Sequence, residues 1–244
     1  MSKLRERLRN TSSRQRGSMG FAPSSSAVDN SHVLVIAEVA DVAAASAAIE
    51  AGAGALLFTG DAASAGAIVE AAGETPVGIR LEGATADETK AVAEAKGDFL
   101  LFDDGATAAD ALLERSLGRV LTLEDDADEK RLRMIAPLRL DAILLGAHNT
   151  TMTVREQLAM RRIVELTRSP LVIAVASAVS ATTLEVWRDA GAPAVLATDA
   201  AALSDVVAAA REVAAPHQRE DDERRDPLLP SLTAGHDHDD DDLD

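Results

Sequence analysis

The sequence predicts an α/β protein built as a single closed (β/α)8 barrel. Three observations carry this: eight short apolar runs recur between residues 32 and 214, Ala-rich amphipathic segments separate them, and capping signals punctuate those segments. The runs are VLVIAEV (33–39), ALLFT (55–59), PVGIRL (76–81), FLLFD (99–103), VLTL (120–123), AILLG (142–146), LVIAVA (171–176) and AVLAT (194–198). Each is apolar on both faces, as strands of a parallel sheet covered by helices should be. Thr85-Ala-Asp-Glu88, Thr153-Val-Arg-Glu156 and Thr182-Thr-Leu-Glu185 match the capping box and predict three helix starts. Gly52 and Gly191 stand where a helix must end before the next strand, a place for a left-handed cap. The turn after the first run, Glu38-Val-Ala-Asp41, has no GxGxxG, which sets aside an open dinucleotide-binding sheet.

Charge divides the chain into a basic tail (1–31), the barrel (32–214) and an acidic tail (215–244), with both tails expected to be disordered. Residues 1–31 hold six Lys and Arg against Glu6 and Asp29, while the chain ends in HDHDDDDLD. In MSKLRERLR, Leu4 and Leu8 lie one helical turn apart, a pattern open to a short membrane-surface or partner-binding helix but offering little apolar area.

With 47% hydrophobic residues the chain can bury a sizeable core. No apolar run is long enough to span a membrane, and the net charge of −17 opposes general nucleic-acid binding. The absence of cysteine excludes disulfides, thiolate metal sites and a cysteine nucleophile. A cytoplasmic protein is expected, with a homo-oligomer or a protein partner left open.

AIEAGAGALLFTG (48–60) and SAVSATTLEVWRDAGAPAVLATDAAAL (177–203) resemble the repeating units of aldolase-type TIM barrels that hold a phosphate or a flavin mononucleotide, the group of nitronate monooxygenase and indole-glycerol-phosphate synthase. The resemblance covers the middle of the chain and implies a phosphate or FMN site at the turns after strands seven and eight. The glycines that let backbone amides approach the anion are missing from Ser177-Ala-Val-Ser180 and Ala197-Thr-Asp-Ala200, and Asp199 adds negative charge. Ser177, Ser180 and Thr198 remain the ligand-binding candidates there. The alternative is a structural pair of turns.

Chemistry in such a barrel comes from the carboxyl ends of the strands. Those ends offer Glu38, Thr59, Arg80 with Glu82, Asp103 with Asp104, Glu124 with Asp125, His148 with Asn149, Ser177, and Thr198 with Asp199. His148, Glu38, Asp103 and Glu124 are the candidates for proton transfer, and Arg80 for holding a carboxylate or phosphate. His148 equally suits a polar loop cap, and the acids suit solvated loops. These carboxylates also permit a Mg²⁺ site, a weaker reading than none at all. None of Lys3, Lys90, Lys96 and Lys130 falls at a strand end, which excludes a Schiff-base lysine. Two functions stay open: a small-metabolite enzyme binding an anionic ligand at the mouth, or a non-catalytic barrel with a decayed site that contacts a partner through charged tails.

Overall fold

The computed structural model describes residues 2–13, 31–124, 127–148 and 150–215. Eight parallel strands close into a barrel in sequence order. They are β1 (Leu34–Val39), β2 (Ala55–Phe58), β3 (Val77–Arg80), β4 (Phe99–Phe102), β5 (Gly118–Leu123), β6 (Ala142–Leu145), β7 (Leu171–Val175) and β8 (Ala194–Ala197), each within two residues of its apolar run. Closure is direct, with Leu34 of β1 paired to Ala194 of β8.

Six crossovers carry an α-helix, α2 (Val42–Ala51), α3 (Ala65–Ala72), α4 (Ala86–Glu94), α5 (Glu129–Ile135), α6 (Val154–Thr167) and α7 (Ala181–Asp189), and α8 (Leu203–Glu212) follows β8. Between β4 and β5 the chain makes only a 3-10 turn, Ala109–Leu113. The boxes at Thr85/Glu88 and Thr153/Glu156 both form. The box expected at Thr182/Glu185 does not. Ser180 caps α7 two residues earlier by accepting from the Thr183 amide, and Glu185 instead lies 3.6 Å from Arg188. Gly52 and Gly191 take φ of +101° and +106°, the left-handed turns that a Cβ would strain.

The alternation of each strand splits the apolar residues into two clusters. One, including Val35, Phe58, Ile79, Phe102, Leu121, Ile143, Ile173 and Trp187, lies between sheet and helices. The other fills the barrel: Leu34 and Ile36, Leu57, Phe99 and Leu101, Val120, Leu144, Val172 and Leu196. Gly78 belongs to this inner layer, since a Cβ there would come within 2.1 Å of the Phe99 ring, which takes the space instead.

The N-terminal segment differs from the expectation of a disordered tail. Residues 3–13 form α1 (Lys3–Ser13), and its Leu4 and Leu8 are 0% and 3% exposed within the inner cluster. The helix stoppers the amino end of the barrel. Asp98 receives the Lys3 and Leu4 amides at 2.7 and 2.8 Å, capping the helix with a negative charge where its dipole is positive. Ser2 donates to Asp141, Arg5 lies 3.6 Å from the same carboxylate, and Arg7 donates to the Gly54 carbonyl at 2.7 Å. Two leucines suffice because the opening they fill is only one ring of side chains wide. The rest of the expected basic tail from residue 14 to 30, and the expected acidic tail from residue 216 onward, lie outside the described residues.

Candidate functional site

The inner phase of each strand, followed upward, decides which polar residues reach the mouth. In β1 it runs Leu34, Ile36, Glu38, in β3 Gly78, Arg80, and in β5 Val120, Thr122. Glu38 and Arg80, two strands apart, therefore both turn toward the mouth, and Arg80 Nη2 donates to Glu38 Oε2 at 3.0 Å. Arg80 is 34% and Glu38 22% exposed at the side chain, partly shielded yet open from above. Arg80 shares a hollow with Leu101, Leu144, Thr122, Glu82 and Asp103, so the polar pair stands beside the top of the apolar filling.

A second hollow adjoins the first, sharing Asp103 and Thr122 and adding Asp104, Glu124, Arg131 and Gly146. Arg131 reaches Asp104 in a two-pronged contact, 2.9 and 3.1 Å. The sequence reading missed Arg131 because it lies inside α5, three residues after the Asp128 cap, rather than at a strand end. It missed Thr122 as well, although a lone hydroxyl inside the run VLTL was a visible signal. Asp103 spends one oxygen on its own loop, with Oδ1 accepting the Gly105 and Ala106 amides at 2.9 and 2.8 Å. Glu124 is exposed at the rim of the second hollow.

His148 stands three residues beyond β6 and is half-buried. Its charge contributes to holding the Glu156 carboxyl below the usual glutamate value, after the larger effect of the Thr153 amide and hydroxyl. This places His148 at the start of α6. The hollows named above do not include it.

The turns after β7 and β8 are furnished differently. Ser180 Oγ accepts the Thr183 amide at 3.1 Å, and Thr198 Oγ1 donates to the Val175 carbonyl at 3.2 Å. Asp199 Oδ1 accepts the Ala201 amide at 2.9 Å, so a carboxylate takes an amide near the place where a phosphate would sit. Ser177 is exposed and falls on the outward phase of β7. A flavin or sugar phosphate needs free amides and glycine there. The residues present do not fit it. Among the described residues, no three His, Asp or Glu side chains group as metal ligands.

No protein-family model matches the sequence, and no curated protein matches it. Solved structures do. The chain is similar to tryptophan synthase from M. tuberculosis in an aminoacrylate-bound form, with TM-score 0.62, 14% identity, and coverage of 87% of this chain and 98% of that one. An open form of that enzyme with BRD0059 bound gives TM-score 0.60 and 15% identity, over 87% and 97% of the two chains. A protein from Aquifex aeolicus VF5 gives TM-score 0.59 and 10% identity, over 87% and 98%. The shared fold is the (β/α)8 TIM barrel. At these identities the likeness is one of architecture, and the mouth of this TIM barrel must be read from its own side chains. Among the described residues, no helix is long and apolar enough to cross a membrane.

Proposed function

We propose that this TIM barrel is an enzyme acting on a small metabolite that carries a carboxylate or phosphate, with Arg80 as the anchor and Glu38 as the proton-transfer group. The observation that carries the reading is the Arg80–Glu38 pair, 3.0 Å apart between β1 and β3 and partly exposed at the mouth. A guanidinium presents five donors, and Arg80 commits Nη2 alone to Glu38 among the described residues, so its fork is available to an incoming anion. An anion that takes Arg80 draws the guanidinium away from Glu38. Glu38 is then left without its guanidinium partner, beside the substrate that displaced it. Asp103 and Glu124 border the same hollows as further carboxylates, and Arg131 offers a second fork once it leaves Asp104. The tryptophan synthase structures, which share the fold, support an enzyme of small metabolites without naming this substrate.

The test is a thermal-shift screen with inorganic phosphate, sugar phosphates and short hydroxy- and keto-acids, followed by calorimetry. A hit should bind Arg80→Met more weakly by roughly 1.5–3 kcal/mol, the scale of a charge-assisted hydrogen bond. A hit that binds Arg80→Met as tightly as the parent overturns the reading.

A further inference from the structure

Most of the described surface is acidic, in keeping with the net charge of −17, but α5 and α6 are not. Residues 129–168 carry Lys130, Arg131, Arg133, Arg139, Arg155, Arg161, Arg162 and Arg168 against Glu129, Asp141, Glu156 and Glu165. Lys130, Arg155 and Arg162 are exposed and make no ion pair among the described residues. The same face is apolar. Of the five exposed large hydrophobic side chains among the described residues, Met134, Val154 and Leu158 are here, at 68%, 72% and 58% exposure. Val154 and Leu158 are one helical turn apart on α6, with Arg161 and Arg162 on the next turn. Basic groups beside unpacked apolar ones are the complement of a segment that carries both leucines and carboxylates.

The chain itself contains such a segment. Residues 226–244 read DPLLPSLTAGHDHDDDDLD, with Leu228, Leu229 and Leu232 followed by a run of aspartates and with no Lys or Arg. The last described residues before it are close by: Arg188 of α7 donates to the Ala214 carbonyl. Next to α7 stands α6, since Arg161 donates to the Asp189 carbonyl at 2.9 Å and Thr183 to the Thr150 carbonyl at 3.2 Å. Neighbouring helices lie about 10 Å apart, a distance that a few extended residues at ~3.5 Å each can span.

We propose that the acidic C-terminal segment, residues 226–244, docks on the α5–α6 face of its own barrel, its leucines against Met134, Val154 and Leu158 and its aspartates toward Lys130, Arg155 and Arg162. Exposed ion pairs are individually weak. Tethering offsets this, because a segment held at an effective concentration on the order of millimolar needs only millimolar affinity to stay bound. High salt should release it.

Met134 and Lys130 report on the face directly. The full chain and a chain ending at Ala215 are compared, dilute and at low salt, for peroxide oxidation of Met134 and acetylation of Lys130. The full chain should react more slowly by a factor on the order of three or more. The difference should vanish in 1 M salt and in an Arg155→Glu, Arg162→Glu double variant. A synthetic peptide of residues 226–244, at millimolar concentration, should restore the protection to the shortened chain. Equal rates in the two chains overturn the proposal. So does protection that grows with protein concentration in both chains alike, which would assign the face to a second copy.

Discussion

Asp141 is 6% exposed at the amino end of the barrel, where it accepts from Ser2 and lies 3.6 Å from Arg5. Burial raises its pKa above the usual aspartate value of about 3.9, against the opposing pull of Ser2 and Arg5, while Asp98 adds to the rise. A carboxyl whose folded pKa is raised contributes stability below its unfolded pKa and loses it as pH climbs through the folded one. Asp141→Asn should therefore gain on the parent in urea midpoint between pH 4 and pH 7. A constant difference across that range would show that Asp141 is as well solvated folded as unfolded. Glu88 and Glu156 behave oppositely, since hydroxyl and amide donors hold both below the usual glutamate value and their contribution fades as acid protonates them. At the mouth, Glu38→Gln should retain binding of any anionic hit that Arg80 anchors while abolishing turnover. A fully active Glu38→Gln would move the proton-transfer role to another carboxylate. The strand ends that carry these groups were legible in the sequence, but their direction was not. Runs such as FLLFD are apolar on both faces, so only the barrel closure shows that Leu101 and Asp103 share the inner phase.

Among the elements, α1 departs furthest from its sequence. Its spacing of Leu4 and Leu8 was visible, and two leucines looked too few to bury a helix, yet the interior they close is narrow and already lined by Leu34 and Phe99. Truncating Leu4 to Ala should cost about 2–5 kcal/mol, as for other fully buried leucines. Removing residues 2–13 altogether should lower Tm by about 5–15 °C in scanning calorimetry, given roughly 2–4 °C per kcal/mol at this size. An unchanged Tm would mean that the helix is not seated. The α7 start was misread for a related reason. Ser180 and Thr182 are both capping residues, and Ser180 wins because it follows the strand turn in extended geometry, with φ −77° and ψ 155°. At α6 the box is formed, and Thr153→Ala should cost about 1 kcal/mol in chemical denaturation, the usual value of a lost N-cap.

Over the whole molecule, 41 acids against 24 Lys and Arg leave a charge that repels itself in the compact state. Raising NaCl from 10 mM to 0.5 M should therefore raise Tm through screening, and the rise should be smaller for a chain ending at Ala215, which sheds eleven acids and three arginines. A Tm that falls with salt would show that ion pairs outweigh repulsion. The eightfold order of the barrel was readable because parallel strands covered by helices must be apolar throughout, so composition alone marks them.

The seat of α1 has a consequence for the order of assembly. Its lining is drawn from strands along almost the whole chain, from Leu34 to Leu196. Because α1 precedes every strand, it is synthesised before its socket and docks last, and Leu4 and Leu8 wait in solvent until β8 has paired with β1. Nascent chains arrested before residue 194 should expose these leucines to a hydrophobic photo-crosslinker placed at Leu8, and full-length chains should not. Ser2, 6% exposed and bonded to Asp141, belongs to the same socket and is held only once the barrel around it has closed.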